Sequence, residues 1–209
     1  MSIYDWQSVL EEFSLKLIEY DIKQSGKLRA DGSAIQPKLN NELRKSNWLG
    51  YLGATEEQIS NAETRLNVNF PLSYREFLKV SNGWRNADWT ELKLWSTEEV
   101  DWFATKNQNW INGWFPDYTE TRPTVVDDLY FVYGEEQDCI NLRTEYLQNA
   151  LEISTDSGDG DIFLLIPDVV FDDREWEAWH FGSKLPGAVR YCSFYELMQR
   201  VVEQGSFIY

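Results

Sequence analysis

At four places a Ser or Thr set three residues ahead of a Glu or Gln reads as a capping box: Thr55 to Gln58, Ser73 to Glu76, Ser96 to Glu99 and Ser193 to Glu196. At that spacing the hydroxyl accepts from a backbone N–H of the first helical turn. The longer side chain reaches back to the N–H of the capping residue, so each box predicts a helix start. After the first box, Ile59, Ala62 and Leu66 hold a helical period to about Arg65. After the second, Tyr74, Phe77, Leu78 and Ser81 share one side, and Asn82-Gly83 supplies a left-handed stop. The third predicts a short helix toward Phe103, and the fourth opens a last helix carrying Leu197, Met198, Val201 and Val202. The stretch from Arg65 to Trp84 is specified at both ends yet holds no histidine, no cysteine and no phosphate-cradling glycine loop. It reads as a packing element.

Around these anchors the period changes along the chain. Trp6, Val9, Leu10, Phe13, Leu17 and Tyr20 form one helical face, with Glu11, Glu12, Lys16 and Glu19 off it. A flexible connection follows at residues 24–33, and Pro37 suits the first position of a short helix to Lys45. Residues 104–118 are aromatic but poor in aliphatics and read as a loop. Four later runs are strand-like and bounded by Gly, Asp or Pro: 129–133, 150–154, 161–167 and 175–181. Helices first, then hairpin-spaced strands, then one helix, predict an α+β fold. The expected architecture is a mainly antiparallel sheet of about five to six strands with helices packed against it. An N-terminal helical extension, residues 1–45, precedes a domain over 46–209.

Charge narrows the partners. The chain of 209 residues carries 35 Asp and Glu against 19 Lys and Arg, a net charge of −16. Residues 1–54 are balanced at seven acidic and seven basic, whereas residues 119–209 hold eighteen acidic and six basic. Between Asp127 and Glu177 fifteen carboxylates face only Arg143 and Arg174. Phosphate neutralisation needs a basic face, so no nucleic acid is expected as a partner. No apolar run approaches the roughly 20 residues needed to span a bilayer, and no membrane is expected. The first residues lack a basic start followed by an apolar block. Two cysteines, Cys139 and Cys192, do not make a disulfide framework, so a cytoplasmic location is the expectation. The acidity is read in two ways, as solubility or as a negative field that attracts a basic partner.

Candidate chemistry is sparse. The single histidine, His180, would share a strand face with Ala178, opposite Trp179, and has no motif around it. Neither cysteine has the basic surroundings of a reactive thiol, Arg190 apart. Residues 156–161, DSGDGD, suggest a calcium loop but put Asp161 where an EF-hand needs glycine, and read better as a hairpin connection. The pairs Asp127-Asp128 and Asp172-Asp173, beside many tryptophans, suggest a glycosidase. Adjacent strand residues point to opposite faces, however, so neither pair flanks one bond. In residues 175–181, alternation predicts one core face and one exposed face. No catalytic residue, metal or cofactor is expected.

Residues 52–84, LGATEEQISNAETRLNVNFPLSYREFLKVSNGW, resemble the signature of the SUKH superfamily. The matching positions are Gly53, Ala54, Glu56, Glu57, Ile59, Leu66, Pro71, Tyr74, Phe77, Leu78 and Asn82-Gly83-Trp84. A second similar block runs through SGDGDIFLLIP and on to Met198. The resemblance implies an α+β domain without enzymatic activity. It also implies an immunity protein of a polymorphic toxin system, binding a cognate toxin domain, often a nuclease or deaminase, in the cytoplasm. The founding fungal members regulate cell-wall synthesis, so an intracellular scaffold or regulator is the alternative, and deleting residues 1–45 is expected to disable that alternative selectively. A toxin acting on nucleic acid needs a basic cleft. The expected binding residues are therefore Asp127, Asp128, Glu135, Glu136, Asp138, Asp156, Asp159, Asp172 and Asp173, with Trp84 and Trp179 as aromatic anchors.

Overall fold

The computed structural model describes residues 4–88, 90–114, 125–171, 173–182 and 185–207. Its centre is a five-stranded antiparallel sheet in the order β1 (Asp101–Trp102), β2 (Leu151–Glu152), β3 (Asp161–Val170), β4 (Trp176–Gly182) and β5 (Ala188–Tyr191). Each strand pairs with its sequence neighbour, so the sheet is a meander with no crossover. The long pair aligns Ile162 with Phe181 and Leu165 with Ala178. Every residue of β4 is buried, which corrects the expectation of one exposed face. Alternation still operates, but both sides of the sheet are covered. Trp176 and Ala178 enter one apolar cluster, and Trp179 and Phe181 the other.

On the first face pack α1 (Trp6–Gln24), α4 (Leu72–Val80) and α7 (Phe194–Gln204), with α3 (Glu56–Leu66) beside α4. This side is apolar and dense in rings. Trp6 meets Phe77, Phe194 and Tyr195 at centroid distances of 5.4, 5.5 and 4.9 Å. Phe13 stacks on Trp84 at 6.1 Å. The first box forms fully: Thr55 accepts from Gln58 N–H, and Gln58 Oε1 accepts from Thr55 N–H at 2.9 Å. The fourth box caps α7, with the Ser193 hydroxyl accepting from Glu196 N–H at 3.1 Å. The second box does not form. Helix α4 starts at Leu72 behind Pro71, which puts Ser73 inside the first turn. There the Ser73 N–H and hydroxyl donate to the buried carboxylate of Glu175, at 2.7 and 2.5 Å. A carboxylate 102 positions away thus does the capping, and it also sits where a helix N-terminus favours negative charge. Two glycines permit close backbone approach. A Cβ at Gly53 would lie 1.9 Å from Lys79 O, where Ala54 N–H donates to Leu78 O. Gly83, at φ +93°, turns the chain so that Trp84 pairs with Leu94.

Three expected elements differ. The helix expected from Pro37 begins later, as α2 (Asn41–Ser46), because Asn40 supplies the cap for Leu43 N–H. The third box closes a turn instead of a helix: the Glu99 carboxylate accepts from both N–H and hydroxyl of Ser96, and the chain then enters β1. Residues 104–114 of the stretch read as a loop belong instead to α5 (Phe103–Trp114), kinked at Asn107. Phe103, Trp110 and Ile111 recur at one helical face and pack on the sheet, a stripe too sparse to register as a period. Residues 115–118 of that stretch lie outside the described residues.

The second face is closed by α5, by the single-turn helix α6 (Asp127–Tyr130) and by the 3-10 turn Thr144–Asn149. The run 129–133 is therefore not a strand. Asp127 and Asp128 occupy the first turn of α6, and Tyr130 points inward onto the sheet. Of the run 150–154, only Leu151 and Glu152 belong to the sheet, and Ser154 bridges to Leu94.

Candidate partner-binding surface

The acidic stretch after residue 125 is anchored from beneath by an ionic cluster. Glu177 of β4 and Arg190 of β5 are both fully buried, with Arg190 Nη1 3.6 Å from Glu177 Oε1. Glu177 also accepts from the hydroxyls of Tyr130 and Tyr133 and from the indole N–H of Trp179, the Tyr133 bond being 2.8 Å. Burial pushes the Glu177 carboxyl above its ordinary range, while its four partners oppose that rise. The same burial, with the neighbouring carboxylate, raises both tyrosines. Arg190 donates onward to the carbonyls of Tyr130 and Val132, and its guanidinium lies 4.3 Å from the Tyr130 ring centroid. Charges buried this deep persist only when paired and hydrogen-bonded. Their partners are the backbone and rings of residues 130–133, so the cluster fixes that segment on the sheet.

Arg143 does the same from the side. Its guanidinium donates to Val125 O and to Asp127, and lies 4.5 Å from the Tyr130 ring and 5.3 Å from the Phe131 ring. Beyond Tyr133 the chain runs along the outer edge of β5. Gln137 brackets Arg190, its Oε1 accepting from Arg190 N–H at 2.7 Å and its Nε2 donating to Arg190 O at 3.1 Å. Ala188 N–H donates to Cys139 O at 3.1 Å. The sheet edge is thereby covered instead of left open for pairing.

Asp127, Asp128, Glu135, Glu136 and Asp138 all face outward on this fixed segment. From Val126 to Leu142 there is no Lys, Arg or His, and Arg143 is buried and already engaged. A groove lined by Glu135, Gln137, Tyr191, Glu196, Arg200 and Glu203 adjoins this surface on α7, with Arg200 paired to Glu203 at 3.2 Å. Asp173 is exposed in the β3–β4 turn next to Phe171, whose ring meets Tyr133 at 5.9 Å.

The remaining expected residues do not join this surface. Asp156 and Asp159 are exposed but lie in the loop before Asp161, at the opposite end of the ten-residue β3 from Asp173. At about 3.3 Å per residue that separation is roughly 30 Å. In that loop Asp156 Oδ1 accepts from the N–H groups of Gly158 and Gly160, closing the hairpin connection on itself. Asp172 lies outside the described residues. Trp84 and Trp179 are corrections, being 0% exposed. Trp84 is held between Phe13 and Trp48, and Trp179 against Phe181 with its N–H on Glu177, so neither reaches a partner. The acid count also shrinks at the surface, because Glu152, Asp161, Glu175 and Glu177 are buried. His180 is buried on the first face beside Asp161 and Phe163. The Cys192 thiol is pushed up to about 11 by burial and by Glu196. What the sequence reading missed is the apolar part of the surface: Val126, Leu129 and Phe131 are 61, 51 and 45% exposed.

The architecture defines an α+β domain whose distinctive polar groups serve packing on the inside and an acidic face on the outside. A model of the SMI1 / KNR4 family (SUKH-1) matches residues 53–200, and the chain belongs to that family. The match begins after α1 and α2, yet α1 packs directly on matched residues such as Phe77 and Phe194. No curated protein sequence matches this chain. Among the described residues no helix is long and apolar enough to cross a membrane.

Proposed function

We propose that this chain is an immunity protein: it binds a basic toxin domain of nuclease or deaminase type and blocks its substrate cleft without turnover. Membership of the SUKH-1 family supports a role in protein–protein recognition. The observation that carries the reading is the outward run of five carboxylates between Asp127 and Asp138, uninterrupted by any Lys, Arg or His in sequence, fixed to the sheet edge, and, among the described residues, with only Asp127 ion-paired, to Arg143. A partner that grips phosphates presents a cationic cleft, and a rigid anionic surface fits it, speeds encounter and excludes the substrate. The buried histidine and the raised Cys192 thiol support inhibition by occlusion rather than by chemistry.

The test is co-production with a candidate toxin domain, such as one found in an adjacent gene. Cells should survive only when this chain is present, and the purified toxin should be inhibited at a one-to-one ratio without modification. Survival that fails in its presence, or a covalently altered toxin, contradicts the proposal.

A further inference from the structure

We infer that Arg174 is a contact residue of the acidic surface, its guanidinium pairing with a carboxylate inside the partner's otherwise basic cleft. This rests on the proposed function and names one group of the partner's contact. Among the described residues, three other than glycine hold a positive φ: Asn47, Asn67 and Arg174, at +54°, +54° and +64°. The two asparagines end α2 and α3 as left-handed C-caps, a place and a residue type where that conformation is common. Arg174 caps no helix. It stands in the turn between β3 and β4, where a glycine would take the same backbone without the crowding of a Cβ. Strain retained at an exposed side chain, in surroundings that hold it there, points to a role outside the fold.

The turn around it is fixed. Arg174 N–H donates to Phe171 O and Phe171 N–H to Glu175 O, both at 2.9 Å, and Glu175 N–H donates to Asp173 Oδ1 at 3.2 Å. The Glu175 carboxylate accepts from Ser73 and from the Tyr4 hydroxyl. The Phe171 ring meets that of Tyr133, which leads into Glu135 and Glu136, so the turn sits beside the acidic segment. The Arg174 side chain is exposed, and its guanidinium makes no ion pair or hydrogen bond with the described residues. From Asp127 to Glu177 it is the only exposed cation, since Arg143 is buried and engaged. Such a cation works against the surrounding field when a basic partner approaches. That cost, like the strain, is recovered only where the complex supplies the guanidinium with an anion. A cleft that cuts or deaminates nucleic acid holds carboxylates among its cations, for proton transfer or metal binding. A planar guanidinium meets a carboxylate through two parallel N–H···O bonds.

Surface plasmon resonance on the toxin domain that passes the survival assay, with thermal melts of the same variants, tests this. Arg174→Gly should raise the melting temperature by about 2 °C as the strain is relieved. It should also weaken binding about tenfold, through faster dissociation, with association unchanged or faster. The field alone predicts the opposite sign, because the variant is more negative and would bind a basic partner more tightly. Arg174→Lys keeps the charge and the strained backbone but loses the planar fork, and should bind about threefold more weakly than the parent. Affinity that is unchanged or higher in Arg174→Gly overturns the inference. A lowered melting temperature does so too, since the guanidinium would then serve the fold. A parent chain that binds no toxin contradicts the proposed function itself, whereas binding that ignores Arg174 while the parent still inhibits overturns this inference alone.

Discussion

The two faces of the sheet are built from different physics. The first, under α1, α4 and α7, is sealed by Trp6, Phe13, Tyr74, Phe77, Trp84 and Phe194, and its stability comes from area buried and rings packed. The second face has apolar packing too, but at its margin it encloses Glu177 and Arg190, and the chain covering it carries the exposed carboxylates. The comparison teaches that the acidic sequence serves two ends. Some carboxylates are internal hydrogen-bond acceptors that order the backbone, and the others use that ordered backbone as a platform.

Substitutions should separate the faces. Phe13→Ala on the first face should cost about 4 kcal/mol, through lost burial and a cavity, with little dependence on pH. Arg190→Met on the second should cost about 3 kcal/mol at pH 8, because it leaves the Glu177 charge buried without its cation. That cost should shrink at pH 5. The Glu177 carboxyl is raised above its unfolded value, so the folded state takes up a proton as pH falls, and stability is lost as pH rises through the folded value. Denaturant melts at the two pH values check both; a pH-independent Arg190→Met would dissolve the contrast between the faces. Glu152 gives a gain in the opposite sense. Burial pushes its carboxyl up to about 7, and Asn107 Nδ2 donates to it at 3.1 Å. Glu152→Gln should therefore stabilise by about 2 kcal/mol at pH 8, where the parent must hold a buried charge, and by almost nothing at pH 5. Ser73→Ala should cost about 1 kcal/mol by removing one of the hydrogen bonds to Glu175.

The first face was largely legible in the sequence. The period of Trp6, Leu10, Phe13 and Leu17 and the boxes at Thr55 and Ser193 are local signals, and local signals survive folding. Ser73 was misread because its true partner is Glu175, which no local pattern can supply. The second face was read less well for the same reason. Tyr130 and Phe131 have strand-like composition, but the Glu177–Arg190 pair and Arg143 hold them in and around a helical turn. Trp84 and Trp179 looked like anchors only because a sequence cannot say which tryptophans a two-sided sheet covers. The N-terminal helix also changes one expected test. Trp6 and Phe13 lie in the core, so deleting residues 1–45 would unfold the domain under either functional reading and separates nothing.

The smallest expected effect on stability belongs to the surface proposed for binding. Replacing Asp127, Asp128, Glu135, Glu136 and Asp138 by their amides should change stability by no more than about 0.5 kcal/mol apart from the Asp127–Arg143 contact, since all five are exposed. The most direct measurement is calorimetric titration of that variant and the parent with the toxin domain at low and high salt. The account predicts a dissociation constant raised about a hundredfold at low salt and a salt dependence largely gone. An affinity equal to the parent's at both salt concentrations would contradict it.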